Sequence, residues 1–434
     1  MDINSGAVLF EKNSHEPYYP ASITKILTAL IVIENCGLDE TVTFSNTAVN
    51  SLEPNSSILG ARAGDTLSVR DCLYALLLQS ANEVANALAE HCAGSIDAFA
   101  EKMNEKAAEL GCTDSHFANP SGLNDPNHYV SAYDMALIAK AAFNNPTFVE
   151  VDSTTYYDVP AGKLKQYPDG WRYYAHHRML RRNDSLYYDG AIGGKTGYTE
   201  AAGNTLVTYA KNDNTYLVSV VLQSVNGAYS DTKALLDYGF NNFGLQNVSN
   251  NDKRFDSDNK VTLQSPFCNT TDSIYIDKTS NIVLPKTAKF SQLTSDVKFN
   301  YTKDSFATIT YKYGDKSVGT AKVVYSSDSG KTDSTVTVAS TTASQQTTTA
   351  ANNTGNNKNS KTAVAKNNSG KDSSNKESST TVSNKNSKKS SFKLPGFFVP
   401  LVVVIIIIVV VILVLILTNR RLNQIRASKR NRRY

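Results

Sequence analysis

The chain has 434 residues, of which 44 are Lys or Arg and 40 are Asp or Glu, for a net charge of +4. This length exceeds that of one ordinary domain, so we expect two or more folded units. Seven of the basic residues and no acidic one lie in the last segment, 419–434, so the composition argues against a nucleic-acid-binding face on a folded domain.

The first 243 residues have the mixed pattern of an α/β (α+β) domain. Helical periodicity is present over residues 24–34, 69–91, 96–110 and 132–143, and strand-like runs occur at 7–10, 204–210 and 216–222. Strands at both ends of a segment with helices between them predict a sheet that joins the two ends.

The remainder of the chain consists of segments that differ sharply in composition. Residues 252–325 alternate apolar and polar side chains, which predicts a small all-β domain with a hairpin near its end. Residues 326–391 are rich in Ser, Thr, Asn and Lys and contain no aromatic residue, which predicts a disordered tether. Residues 397–418 are apolar enough and long enough for one transmembrane helix. The basic tail 419–434 is then expected in the cytoplasm, with the folded domains outside the cell membrane.

Five cysteines and six histidines are present, and neither set has the spacing of a metal site. The cysteines lack a CxxC pair and the histidines lack an HExxH pair. We therefore predict no metal centre and no cofactor. Cys36, Cys72 and Cys92 lie in or beside apolar helical patterns and are predicted to be small buried side chains, although the sequence leaves one disulfide open.

The string Ser22–Lys25 opens an apolar helical segment. Because positions i and i+3 share a helix face, the Lys25 amine would point at the Ser22 hydroxyl. A lysine shielded from water loses basicity and can act as a general base towards a serine nucleophile. The alternative is a helix-capping serine followed by a solvent-facing lysine.

Ser80 and Asn82 stand where one apolar run ends and another helix begins. One interpretation places the Ser80 hydroxyl near Lys25 as a proton relay and the Asn82 amide on a substrate backbone. The alternative is a structural capping box, in which Ser80 caps the helix and Glu83 completes the pair.

A third string, Gly193–Gly197, precedes a strand. A phosphate loop is excluded, because the first glycine of that pattern would fall on Asp189. Small residues on an edge strand let a substrate backbone approach, and Lys195 with the Thr196 hydroxyl could bind a terminal carboxylate. The alternative is a glycine-rich turn with a solvated lysine.

In this order and with their flanks, the strings resemble the serine-type D-Ala-D-Ala carboxypeptidases, the low-molecular-mass penicillin-binding proteins. The resemblance covers residues 2–243, and the segment 252–325 resembles the family's second domain more weakly. The matching strings are Asp2–Phe10, Pro20–Lys25, Ser80–Glu83, Phe117–Leu123, His128–Ala136 and Gly194–Thr199. The resemblance implies a β-lactamase/transpeptidase-like fold with an antiparallel sheet and a helical insert.

The resemblance also implies roles. Ser22 would be acylated by the penultimate D-alanine carbonyl of a peptidoglycan stem peptide, Lys25 would take its proton, and Ser80 would relay a proton to the leaving amine. The implied substrate-binding residues are Asn82, Lys195, Thr196, Gly197 and Tyr198. Backbone N–H groups of Ser22 and Tyr198 would form the oxyanion hole. β-Lactams would acylate the same serine and remain bound.

Other functions stay open. A class A β-lactamase also needs a carboxylate that activates the deacylating water, and no ExxLN-like string occurs between Asn82 and Lys195. An inactive, membrane-tethered wall-binding protein is disfavoured by the intact motifs, and transpeptidase or endopeptidase action uses the same chemistry. Relatives carry a signal and a strand ahead of the position of Asp2, so we expect the true start to lie upstream of Met1.

Overall fold

The structure is a computed structural model that describes residues 1–255, 260–265, 268–302 and 304–325, of which 260–265 and 268–272 are described by their backbone alone. The tether, transmembrane and tail predictions for 326–391, 397–418 and 419–434 therefore lie outside the described residues. Within the described part of the chain, no helix has the length and apolar character needed to cross a bilayer.

The helices lie mainly between residues 25 and 152. They are α1 (Lys25–Asn35), α2 (Asn46–Asn50), α3 (Val69–Tyr74), α4 (Asn82–Ala93), α5 (Ile96–Glu109), α6 (Ala132–Phe143), α7 (Pro146–Asp152), α8 (Ala228–Asn242) and α9 (Val248–Asn251). A 3-10 turn, Ala21–Thr24, leads into α1, and a π-helical turn, Ala75–Gln79, follows α3. Two more 3-10 turns occur at Arg178–Leu180 and Phe290–Gln292.

The strands form antiparallel sheets. They are β1 (Thr41–Thr43), β2 (Thr66–Ser68), β3 (Tyr156–Val159), β4 (Trp171–Tyr174), β5 (Ala191–Thr199), β6 (Gly203–Asn212), β7 (Thr215–Ser224), β8 (Phe243–Asn247), β9 (Lys260–Ser265), β10 (Cys268–Ile276), β11 (Asn281–Pro285), β12 (Thr294–Thr302), β13 (Ser305–Tyr313) and β14 (Lys316–Tyr325). The order β5-β6-β7 places β5 at a sheet edge, and a five-stranded sheet has the order β12-β13-β14-β10-β9.

Two large hydrophobic cores and a small cluster of Ala210, Leu217 and Leu236 lie among the described residues. α1 is buried from Lys25 to Val32, so it runs through the middle of the first core, with α4, α5, α6 and α7 packed around it. A helix that is apolar on all sides is stable only when it is surrounded in this way. The second core takes its residues from Val248 to Val323 and lies under the five-stranded sheet.

Most predicted helices and strands of the first 243 residues match the structure. The helical run predicted over 69–91 is divided at Ser80, whose φ of 62° is left-handed and ends the π-helical turn. The strand predicted at 7–10 is wrong, because those residues lie outside every strand. Instead, the Met1 nitrogen donates to the Val218 carbonyl and the Ile3 nitrogen donates to the Tyr216 carbonyl. Residues 1–3 therefore lie along the edge of β7.

Candidate active site

Ser22 lies in the 3-10 turn Ala21–Thr24 that leads into α1, as the sequence spacing predicted. Lys25 is the first residue of α1, and its Nζ lies 3.0 Å from Ser22 Oγ. Lys25 is fully buried, which excludes the alternative of a solvent-facing lysine. Thr24, not Ser22, is the N-cap residue of α1. Ala21 precedes the serine with a φ of 51°, a strained conformation for a residue with a Cβ.

The amine of Lys25 has two further contacts besides the serine. Nζ lies 2.7 Å from Asn82 Oδ1 and 2.6 Å from the Ser121 carbonyl oxygen. Both oxygens only accept hydrogen bonds, so they can take the two N–H groups of a neutral amine. The nitrogen lone pair then faces Ser22 Oγ, which is the arrangement that a general base needs.

Ser80 lies between the π-helical turn and α4. The N-cap residue of α4 is Ala81, and the Glu83 carboxylate accepts N–H groups of Leu59 and Gly60 instead of closing a cap on Ser80. The capping-box alternative is therefore wrong. The left-handed φ of Ser80 is the kind of backbone strain that clusters at functional sites.

The structure assigns the partner of Ser80 differently from the sequence interpretation. Ser80 Oγ accepts a hydrogen bond from Lys195 Nζ at 3.0 Å, whereas Lys25 contacts Ser22 and Asn82. Each hydroxyl is thus held by its own lysine. Because Lys195 donates to Ser80, the Ser80 hydrogen is free to point elsewhere.

Lys195 lies on the edge strand β5, as predicted, and its Nζ also donates to the Thr196 carbonyl at 2.8 Å. Only 1% of its surface is exposed, so the alternative of a solvated lysine is wrong. Gly197 lets β5 pass close to the nucleophile, because a Cβ there would lie 2.9 Å from the Ser22 nitrogen. Gly194 has a φ of 142°, and its Cβ would meet the Val207 carbonyl oxygen at 2.2 Å.

An open cleft of about 570 Å³ joins these groups. Its lining includes the predicted residues Ser22, Ser80, Asn82, Thr196, Gly197 and Tyr198. Lys25 and Lys195 lie beneath this surface, where their amines are hydrogen-bonded to the Ser22 and Ser80 hydroxyls. Tyr198 is 64% exposed at the rim. Glu53 places a carboxylate in the lining, where it accepts the Asn124 N–H at 2.9 Å.

Burial sets the charge states of the two lysines. It lowers the pKa of Lys25 well below its usual value, and the nearby Lys195 charge lowers it further, while Glu83 opposes the change. Burial also lowers the pKa of Lys195 to about 7, against the opposing effect of Asp152. Two buried lysines with lowered pKa values, side by side, are the kind of perturbed titratable pair found at catalytic sites.

Sequence reasoning missed a buried carboxylate behind β5. Asp152, at the end of α7, has one carboxylate oxygen with no hydrogen-bond partner, and burial raises its pKa to about 7. The Gly194 N–H and the Lys195 charge both act to lower that pKa. A Cβ at Gly193 would lie 2.5 Å from this carboxylate. No motif marks Asp152, because its role depends on which strand α7 packs against.

Gly122 is the second feature without a predicted role. Its φ is +83°, and a Cβ there would lie 1.9 Å from the Ala21 carbonyl oxygen. The neighbouring Ser121 carbonyl binds Lys25. The loop that contains Gly122 therefore presses directly on the nucleophile turn. The resemblance included this loop, but a string of letters does not show what it contacts.

Comparison with known proteins is consistent with this geometry. Residues 1–226 match the family described as D-alanyl-D-alanine carboxypeptidase. The chain is 34% identical over 248 residues to D-alanyl-D-alanine carboxypeptidase DacB2 of Mycobacterium tuberculosis, covering 55% of this chain and 80% of the relative. It is 32% identical over 249 residues to D-alanyl-D-alanine carboxypeptidase DacF of Bacillus subtilis, covering 56% and 61%. The match thus spans less than two thirds of the DacF length.

A solved structure, penicillin binding protein 5 from Haemophilus influenzae, superposes with a TM-score of 0.58 at 26% identity. That match covers 75% of this chain and 94% of the other. The penicillin-binding, transpeptidase-like α/β fold with antiparallel sheets that the sequence predicted is therefore confirmed.

Proposed function

Because this chain belongs to the D-alanyl-D-alanine carboxypeptidase family, we propose that it removes the terminal D-alanine from peptidoglycan stem peptides through an acyl-enzyme on Ser22. The observation that carries this proposal is the position of the fully buried Lys25 amine. It lies 3.0 Å from Ser22 Oγ and is hydrogen-bonded to Asn82 Oδ1 and to the Ser121 carbonyl oxygen. A serine held this way needs no histidine to become a nucleophile.

The first step forms a bond between Ser22 Oγ and the carbonyl carbon of the penultimate D-alanine. The serine proton passes to the neutral Lys25 amine, and the carbonyl oxygen becomes an oxyanion. The Ser22 and Tyr198 N–H groups are the proposed donors to that oxyanion, in agreement with the close approach of β5 at Gly197. The substrate carboxylate lies towards Lys195 and Thr196.

The second step breaks the carbon–nitrogen bond. The leaving amine of D-alanine takes the Ser80 hydrogen, and Ser80 is reprotonated with the proton that Lys25 took from Ser22, which leaves Lys25 neutral again. Lys195 favours this step because its ammonium group donates to Ser80 Oγ at 3.0 Å. Water then attacks the acyl carbon, its proton goes to Lys25, and Ser22 recovers its hydrogen. A β-lactam loses no leaving group on ring opening, so its amine remains in the cleft and hinders this water.

β-Lactamase activity is the second candidate function, because Glu53 places a carboxylate in the lining of the cleft. A carboxylate in the cleft could activate a deacylating water, but the Glu53 carboxylate is engaged by the Asn124 N–H. We therefore expect slow release of a bound β-lactam. Transpeptidation uses the same acyl-enzyme, with an amine as acceptor in place of water.

We also propose that the chain is held in the cell membrane by residues 397–418, with the catalytic domain outside. Residues 401–417 contain no polar side chain, and seven basic residues follow in 419–434, a distribution that favours a cytoplasmic tail. The small all-β domain and the tether 326–391 would then hold the cleft away from the bilayer.

The membrane anchor is tested by fractionation. Full-length protein is expected in the membrane fraction after high-salt washing, and a chain ending at Ser391 is expected in the wash. Recovery of both proteins in the wash would contradict the anchor.

The activity is tested with two peptides that differ only in one stereocentre. The purified chain should release D-alanine from a stem-like peptide ending in D-Ala-D-Ala and leave the L-Ala-D-Ala peptide intact. Ser22→Ala should abolish release, and Ser230→Ala, which alters an exposed serine of α8, should not. Equal release from both peptides, or release by Ser22→Ala, would contradict the proposal.

A further inference from the structure

A cluster of metal-binding side chains lies at the far ends of the two helices that begin at the active site. α1 begins at Lys25 and is followed by Cys36, whereas α4 begins at Asn82 and carries His91 in its last turn. These helices have 11 and 12 residues. At about 1.5 Å per residue, the cluster lies on the order of 16 Å from the catalytic groups, so it is not part of the cleft.

Three different ligand types meet at this point. The Cys36 sulfur, one Glu40 carboxylate oxygen and one His91 ring nitrogen all lie within 4.8 Å of one another. His91 Nε2 and Glu40 Oε2 are 2.8 Å apart. The thiol and the imidazole are half-buried, and the carboxylate is exposed, so an ion from solvent can reach the group without opening the core.

The carboxylate is held in place before any ion binds. Its second oxygen accepts the Gly37 N–H at 2.7 Å, and a Cβ on Gly37 would lie only 2.9 Å from that oxygen. The loop is fixed to the start of α3 by hydrogen bonds from the Arg70 and Val69 nitrogens to the Leu38 and Glu40 carbonyls, both at 2.9 Å. Such outer contacts orient ligands in known metal sites.

Charge and ligand chemistry indicate which ion fits. α1 and α4 both end here, and the partial negative charge of helix C-termini favours a cation. A thiolate and an imidazole together suit Zn²⁺ better than Ca²⁺ or Mg²⁺, which prefer oxygen ligands. Zinc bonds of about 2.0–2.3 Å in a tetrahedron place ligand atoms roughly 3.3–3.7 Å apart. The His91 and Glu40 atoms, 2.8 Å apart, must therefore separate by about 0.5 Å. The Cys36 sulfur, within 4.8 Å of both, must approach by at most about 1.5 Å.

We propose that Cys36, Glu40 and His91 bind one Zn²⁺ that joins the ends of α1 and α4. No short sequence motif indicates this site, because His91 and Glu40 are 51 residues apart and only folding brings them together. By fixing two helices at one end, the ion stabilises the frame that carries Lys25 and Asn82 at the other end.

The test uses the purified full chain, stripped with a chelator, kept reduced, and titrated with Zn²⁺ against a chromophoric competitor. We expect one equivalent to bind and the thermal midpoint to rise with zinc. Cys36→Ser should weaken binding at least about tenfold, and Cys112→Ser, a half-buried cysteine elsewhere, should not. With Co²⁺, a thiolate-to-metal charge-transfer band should appear in the parent chain and disappear in Cys36→Ser.

His91→Gln serves as a second variant, and circular dichroism establishes that each variant is folded. The proposal is overturned if the parent chain binds Zn²⁺ no more tightly than about 100 μM. It is also overturned if Cys36→Ser and His91→Gln both bind zinc as the parent does. A Cys36–Cys92 disulfide in the purified, unreduced protein that persists with zinc present would overturn it as well.

Discussion

Lys25 Nζ and Ser22 Oγ lie 3.0 Å apart in a position where water cannot reach the lysine. The other contacts of the amine are acceptor oxygens of Asn82 and Ser121. Burial lowers the pKa of the amine and so favours its neutral form, in which the two acceptors direct the lone pair at the serine. This relationship links the sequence spacing to the proposed chemistry.

Replacing Lys25 with methionine should remove the base while keeping the volume of the side chain. We expect the second-order rate of acylation by a penicillin to fall about 10²–10⁴-fold, the usual contribution of a general base. The loss of the amine also leaves two buried acceptors unpaired, at a cost of about 1–3 kcal/mol each. Lys233→Met, on an exposed lysine, is the matched control, and stopped-flow labelling is the measurement. Unchanged acylation in Lys25→Met would contradict the assignment.

Substrate binding should weaken as the pH rises through neutrality. The pKa of Lys195 is about 7, lowered by burial, so its positive charge is present below that pH and lost above it. The KM for a peptide with a free carboxylate should therefore rise between pH 6 and about pH 8, while the KM of its C-terminal amide should stay level. The Asp152 charge opposes this lowering of the Lys195 pKa.

Lys195→Arg provides the check on this pH dependence. Arginine stays charged throughout this range, so the KM of the variant for the carboxylate peptide should be flat from pH 6 to about pH 9. A KM that rises with pH in the arginine variant as it does in the parent would contradict the role of Lys195.

Asp152→Asn should change how stability depends on pH. The pKa of Asp152 is raised by burial from 3.8 to about 7, so its contribution to stability is complete below pH 3.8 and is lost as the pH rises through 7. We expect the thermal midpoint of the parent to fall between pH 5 and about pH 8, and that of Asp152→Asn to fall less. Asp189→Asn, on an aspartate outside the core, is the control. An identical fall in both variants would refute the assignment.

Gly122→Ala should damage the nucleophile turn. Its Cβ would meet the Ala21 carbonyl oxygen at 1.9 Å, whereas a Cβ at Gly111 meets nothing within 4 Å. Both glycines have φ values in the left-handed region, +83° and +85°. Gly111→Ala should therefore cost about 1 kcal/mol for backbone strain alone. Gly122→Ala should cost more than that in chemical denaturation and should also slow acylation. Equal losses would show that the contact with Ala21 is unimportant.

The sequence predicted the helices well because α1, α5 and α6 have strong apolar periodicity and side chains that pack on one core. It also predicted the Lys25–Ser22 contact, since positions three apart on a helix must meet. It could not assign Ser80, because two lysines were available and only the sheet position of β5 decides between them.

Other features depend on long-range packing and had no local signal. Asp152 meets β5 only after α7 has packed, and the predicted strand at 7–10 fails because a strand requires a neighbour as well as a suitable pattern. Glu83 has the spacing of a capping box, but three backbone N–H groups of a distant loop compete successfully for its carboxylate.

The most direct test of the account is intact-mass analysis of the purified chain after incubation with benzylpenicillin, followed by peptide mapping. We predict a mass increase equal to one penicillin, located on the peptide that contains Ser22, persisting for many minutes after free drug is removed. Rapid return to the unmodified mass would indicate a β-lactamase. No adduct, or an adduct on any residue other than Ser22, would contradict the central claim.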